Sequence, residues 1–171
     1  GALHCKTGGI DVFVVHFSPS SYQKRREEAQ IILQKLEKVA QNNSKYLVMG
    51  DFNSHSPFDA DLYKNNIVRN RTRESEGDKG EKGNLANGEI DYAVIADFLG
   101  FPLIDICQKY SNGIAERGSF PARLLGSINN ETGKDLVSRL ERIDYILVSE
   151  DLGINAISGQ VYNGESNWYL S

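Results

Sequence analysis

Residues 46–53 read YLVMGDFN. Tyr46 to Met49 is an apolar run of strand type, and Gly50 closes it. A carboxylate, Asp51, and a carboxamide, Asn53, follow two residues apart. Functional side chains collect where a rigid strand ends in a loop. Gly50 permits close backbone approach or unusual dihedral angles. Asp51 is a candidate base or ligand of a metal-activated water. Asn53 is a candidate amide donor to a developing oxyanion. The plain structural alternative is an Asp–Asn turn cap behind a strand.

Upstream, Ile10 to Phe17 reads IDVFVVHF, a near-continuous run of the kind covered on both faces. Pro19 and two serines end it. Ser20 or Ser21 then caps a helix from Tyr22 to about Gln41. Its apolar stripe is Ala29, Ile32, Leu33, Leu36, Val39 and Ala40. Asn42-Asn43-Ser44 breaks it. Strand, helix and strand with short connections make a layered α/β unit. Whether the two strands are neighbours, and in which direction they run, stays open. His16 shares a strand face with Val12 and Val14. It reads as a hydrogen-bonded structural histidine or as a phosphate-contacting donor. His55, two residues beyond Asn53, is a weaker substrate-binding candidate, and His4 is given no role.

Downstream, residues 59–88 change character. Twelve of these thirty are charged, which reads as a long surface loop, a solvated insertion. The sharper reading is a substrate loop. There Arg69, Arg71 and Arg73 would face phosphate from one side of an extended segment. Glu89 to Leu99 reads as a short helix stopped by Gly100 and Pro102. Leu103 to Cys107 reads as a brief strand and residues 110–135 as loop-rich. Arg142 to Ser149, RIDYILVS, is a third clear strand, and Val161-Tyr162 the start of a fourth. Asp144 within that third strand is costly to bury unless paired. It reads as a second acid that orients a histidine, or as a half-exposed residue at the strand's start.

The composition bounds the answer. The chain has 171 residues, 40% of them hydrophobic and 25% charged, as in an ordinary globular protein. No apolar run approaches the ~20 residues a spanning helix needs. Two cysteines, Cys5 and Cys107, make no disulfide framework and fix no compartment. Net charge is −4, and the acidic excess lies in the second half, with 6 basic and 12 acidic residues over 89–171. This is not the basic footprint of a protein that coats nucleic acid. No Cys/His metal pattern, Walker loop or G-x-S-x-G elbow is present. A hard-cation site of a few carboxylates plus substrate phosphate stays compatible.

VVHF at 14–17, GDFN at 50–53 and RIDYILVS at 142–149 occur in that order. Together they resemble the endonuclease/exonuclease/phosphatase superfamily, from about Ile10 onward. The resemblance implies an α/β fold, a four-layer α/β sandwich of two mixed β-sheets flanked by helices. It implies phosphoester hydrolysis dependent on Mg²⁺ or Mn²⁺. Asp51 would position or deprotonate the water and hold the metal. Asn53 would bind the phosphoryl oxygen, Asp144 would orient a catalytic histidine, and His16 would contact phosphate. His55 and Arg69 complete the substrate-binding candidates. The substrate class spans nucleic acid, a phospholipid headgroup and a small phosphodiester. The oligomeric state and compartment are left open.

The departures set a further expectation. The family's catalytic histidine follows an Asp in a Ser-Asp-His motif that is not found here. Its first half, with a metal-binding Glu, is not matched either. Residues 1–171 are therefore expected to be one partial domain, an incomplete portion of the sandwich matching its C-terminal half and inactive alone. The alternative is a non-catalytic binding or interaction module on the same scaffold.

Overall fold

The computed structural model describes residues 1–63, 67–76, 83–122 and 139–163. The Tyr46–Asp51 strand, β3, lies at the middle of a five-stranded mixed sheet. β1 (Ala2–Thr7) and β2 (Ile10–His16) form an antiparallel hairpin at one side. β2 runs parallel to β3, and α1 (Tyr22–Ala40) connects the two. β7 (Asp144–Val148) pairs antiparallel with β3, and β6 (Ile104–Asp105) pairs antiparallel with β7. The order β1-β2-β3-β7-β6 resolves the question of adjacency and direction that the strand–helix–strand pattern left open.

One sheet face is covered. Phe13, Val15, Val48, Tyr145 and Leu147 meet Ala29, Ile32 and Leu36 of α1. Val94, Ile95 and Phe98 of α3 (Ala93–Gly100) close the same core. Ser21 caps α1 by accepting from the Lys24 N–H, as expected. The opposite face is only partly covered, unlike what the unbroken apolar run of β2 led one to expect. Leu3 and Ile146 are exposed there, and Val14, Leu47 and Met49 are half-buried. An open hollow of about 320 Å³ lies over it, bounded in part by Val14, Met49, Ile146 and Val161.

The described residues of 59–88 are not all loop, contrary to what their charge suggested. They hold most of a 3₁₀ turn, Pro57–Tyr63, and a helix, α2 (Ile67–Glu76). On a helix the alternate arginines do not share one side as they would on an extended strand. Two arginines of this helix are paired with acids on other segments: Arg69 with Glu89, and Arg71 with Glu141. Residues 64–66 and 77–82 of that stretch lie outside the described residues.

The helix read from Glu89 starts instead at Ala93. Glu89–Ile90 (β5) pairs with Leu85–Ala86 (β4) across an Asn87-Gly88 turn with both residues at positive φ. Asn-Gly between two short runs is the sequence signal for such a hairpin. The strand expected over Leu103–Cys107 is shorter, because Asp105 caps α4 (Ile106–Lys109). α5 (Ile114–Arg117) follows, and α6 (Glu150–Asn155) comes after β7. Val161-Tyr162 starts no strand. The larger mixed sheet and the small β4–β5 sheet, flanked by helices, are those of an α/β sandwich.

Candidate active site

The register brings three candidates into one row. His16 on β2 is the cross-strand partner of Asp51 on β3, and Asp51 is the partner of Asp144 on β7. All three lie at the same end of these neighbouring strands. His16 is exposed, with Nε2 3.7 Å from Asp51 Oδ2. Asp144 lies at the exposed start of β7. Its carboxyl pKa is raised, first by partial loss of hydration; the Ser119 hydroxyl opposes this, and the Asp51 carboxylate adds to it.

Gly50 makes the row possible. Its φ of +129° is open to glycine, and a Cβ there would sit 2.1 Å from the Val15 carbonyl oxygen. After Asp51 the chain turns sharply. Asn53 adopts φ 46°, a left-handed conformation that asparagine tolerates. Its backbone N–H donates to Asp51 Oδ1 at 2.8 Å, so the turn cap read from the sequence is real. Its side-chain amide donates to the Phe17 carbonyl at 3.0 Å. One of the two amide hydrogens is spent in this way, and among the described residues the second meets no acceptor.

The loop is held from beneath. Phe52 is fully buried, edge-on to Phe17, Phe98 and Tyr145. The Tyr145 hydroxyl lies 3.0 Å from the Ser54 carbonyl and 2.8 Å from that of Arg142. The first of these ties the loop after Asp51 to β7.

Beside this row lies a cavity of about 350 Å³ whose wall includes Asp51, Asn53, His55, Arg25, Asp91 and Glu141. His55 Nε2 is 2.8 Å from Glu141 Oε2, and Arg71 pairs with the other Glu141 oxygen. Burial pushes the His55 pKa down to about 4, Arg25 and Arg71 acting the same way and Asp59 and Asp91 against it. Arg69 is not brought into this wall; it donates to both carboxylate oxygens of Glu89.

Sequence reading missed the ion cluster behind the site. Arg142 is fully buried and donates to Asp59 Oδ2 at 2.7 Å and Asp105 Oδ2 at 2.6 Å. Arg117 donates to Asp59 Oδ1 through Nε and Nη2. The only hint was an arginine at the head of an apolar strand, and its partners lie far off in sequence.

The donor set bears on a metal. Among the described residues, no group of three or more His, Cys, Asp or Glu side chains converges to hold an ion. Two carboxylates in register, Asp51 and Asp144, are nonetheless what a hard cation takes when phosphate oxygens supply further ligands. The residues present fit such a cation to that extent.

No family model matches the sequence. No curated protein matches it either. Solved structures do. A 3'-5' exonuclease (NExo) from Neisseria meningitidis matches with a TM-score of 0.57 and 16% identity, over 92% of this chain and 55% of that one. The 3' phosphatase NExo from Neisseria, bound to product DNA hairpin, matches with a TM-score of 0.52 and 17% identity, over 90% and 53%. An AP endonuclease from Archaeoglobus fulgidus matches with a TM-score of 0.51 and 16% identity, over 90% and 54%. The chain spans about half the length of each. At these identities the likeness is one of fold: this chain has the α/β architecture seen in those exonuclease, phosphatase and AP endonuclease structures.

Proposed function

We propose that this chain carries part of the active site of a divalent-metal-dependent phosphoesterase acting on a nucleic acid. The observation that supports it most is the arrangement at the end of β3. There Asp51 meets the Asn53 N–H and His16, in register with Asp144. The substrate class follows the similar structures, described as a 3'-5' exonuclease, a 3' phosphatase with a DNA hairpin and an AP endonuclease.

Asp51 has one oxygen fixed by the Asn53 N–H, which orients the carboxylate. The other oxygen faces His16 and is the one to accept a proton from an attacking water. The second Asn53 amide hydrogen meets the phosphoryl oxygen as negative charge grows on it. Because that amide is already held by the Phe17 carbonyl, little reorganisation is needed at the moment of reaction. Asp51, with Asp144 beside it, would hold Mg²⁺ or Mn²⁺, which supplies charge neutralisation at the phosphate and leaving group when bound. Asp144 is assigned the second role of orienting a catalytic histidine. His16 is assigned a phosphate contact from the open side.

The test is hydrolysis of bis-p-nitrophenyl phosphate and of a 3'-phosphorylated duplex oligonucleotide with Mg²⁺ by the whole protein that carries these residues, since residues 1–171 by themselves are expected to be inactive. Asn53→Ala is expected to lower kcat by about 10²–10³, the loss typical of one oxyanion donor. Asn53→Gly relieves the backbone and removes the same amide, so it should lose the same activity with a smaller loss of stability. Phosphate-oligonucleotide binding with no turnover under any divalent cation would overturn the enzyme reading and favour a binding module.

A further inference from the structure

His55 and Glu141 are 86 residues apart in sequence and share one wall of the cavity that Asp51 and Asn53 also line. Glu141 is fixed through its backbone. Its carbonyl accepts from the Ser119 and Phe120 N–H groups, and its own N–H donates to Phe120. Its carboxylate lies between Arg71 and His55. A carboxylate beside a guanidinium is favoured in its ionised form and can then only accept hydrogen bonds. The 2.8 Å bond therefore requires the proton on His55 Nε2.

The consequence falls on the other ring nitrogen. With Nε2 protonated in a neutral ring, Nδ1 presents a lone pair. Neutrality follows from the surroundings: the side chain is 15% exposed, the ring meets Tyr63 edge-on at 5.1 Å, and Arg25 and Arg71 oppose a further positive charge. Asp59, Asp91 and the Glu141 carboxylate bonded to Nε2 act the other way, and burial sets the net direction downward. A lone pair repels phosphate oxygens, which carry lone pairs of their own. It attracts a hydroxyl or an N–H.

We propose that His55, held by Glu141 and Arg71, is a specificity-determining acceptor that reads a hydroxyl or N–H donor carried by the substrate next to its phosphate. This gives a definite chemistry to His55, which its place after GDFN marks only as a substrate-binding candidate. It rests on the phosphoesterase reading for the phosphate alone; the acceptor chemistry stands on the residues themselves. The substrates it favours are nucleotides and sugar phosphates whose framework offers such a donor. A bare alkyl phosphate is disfavoured.

The test has a structural arm and a ligand arm. In ¹⁵N-histidine-labelled chain at neutral pH, His55 is expected to show one tautomer, with Nε2 protonated and Nδ1 unprotonated. A protonated Nδ1 overturns the proposal, whatever the protein hydrolyses. The ligand arm compares glycerol 2-phosphate with isopropyl phosphate, which has the same skeleton without hydroxyls, each with Mg²⁺. Glycerol 2-phosphate is expected to bind at least about tenfold more tightly, the size of one hydrogen bond to a site built for it, and to shift Nδ1. Equal binding, or an Nδ1 shift with both, overturns it.

Two variants separate this role from a structural one. His55→Gln keeps an amide donor toward Glu141 and loses the Nδ1 acceptor, so the protein stays folded and the preference disappears. His55→Asn keeps an oxygen near the Nδ1 position and retains part of the preference. The reverse pattern, full preference in His55→Gln and none in His55→Asn, means a purely structural histidine. Hydroxyl-dependent binding without hydrolysis of any phosphodiester would sink the phosphoesterase reading and leave this one standing.

Discussion

Asp51 and Asp144 face each other across the β3–β7 ladder as direct cross-strand partners. Like charges in that relation are destabilising by themselves. A fold tolerates them where a cation or a substrate turns the repulsion to use. Asp144→Asn is therefore expected to leave stability unchanged or raise it by up to about 1 kcal/mol while lowering hydrolysis. Urea denaturation beside a turnover assay reads both. A clear loss of stability would show that Asp144 is a structural carboxylate.

Gly50→Ala should be far more damaging than its size suggests. The added methyl meets the Val15 carbonyl oxygen at 2.1 Å, and β2 cannot move away without losing its pairing with β3. The expected cost is roughly 2–4 kcal/mol, from overpacking together with strain at positive φ. A thermal midpoint close to that of the unmodified chain would mean that the two strands yield there.

Arg142 anchors the head of β7 to Asp59 and Asp105. Arg142→Ala leaves Asp105 without that partner in the interior and takes one of two arginines from Asp59. Breaking a buried pair from one side costs about 3–5 kcal/mol. Arg117→Ala should cost less, because Asp59 keeps Arg142. Equilibrium unfolding of the two variants gives the order, and the reverse order would contradict the cluster as described.

The depressed pKa of His55 makes stability depend on pH. Its ordinary value of 6.5 falls to about 4 in the folded chain, so the unfolded chain binds the proton more readily. Stability is then full above about pH 6.5 and falls as pH drops toward 4, by up to roughly 3 kcal/mol from this group. His55→Gln should flatten that part of the profile. An unfolding free energy that is level from pH 7 to 4.5 in the unmodified chain would contradict the burial of a neutral imidazole.

Some of this was legible along the chain. The three main strands and the long helix announce themselves through apolar runs and a helical stripe, and GDFN marks the strand end where the chemistry gathers. The Asn87-Gly88 pair carries a hairpin signal, but Glu89 to Leu99 also has helix-compatible spacing, and the two signals compete over the same residues. Arg69, Arg71 and Arg73 were misjudged for a different reason. Alternate charges look alike on a solvated loop and on a helix until their partners are known, and Glu89 and Glu141 come from other elements.

Local sequence alone settles the three main strands, the long helix and the strand end that carries Asp51 and Asn53. Local periodicity and turn chemistry suffice for that. Only the tertiary structure decided that His16, Asp51 and Asp144 form one row, that His55 meets Glu141, and that Arg69 turns away. Strand register is set by long-range pairing and by shared burial under α1 and α3. A shift of one residue would have sent every side chain of β7 to the other face. No local pattern in the chain records which register wins.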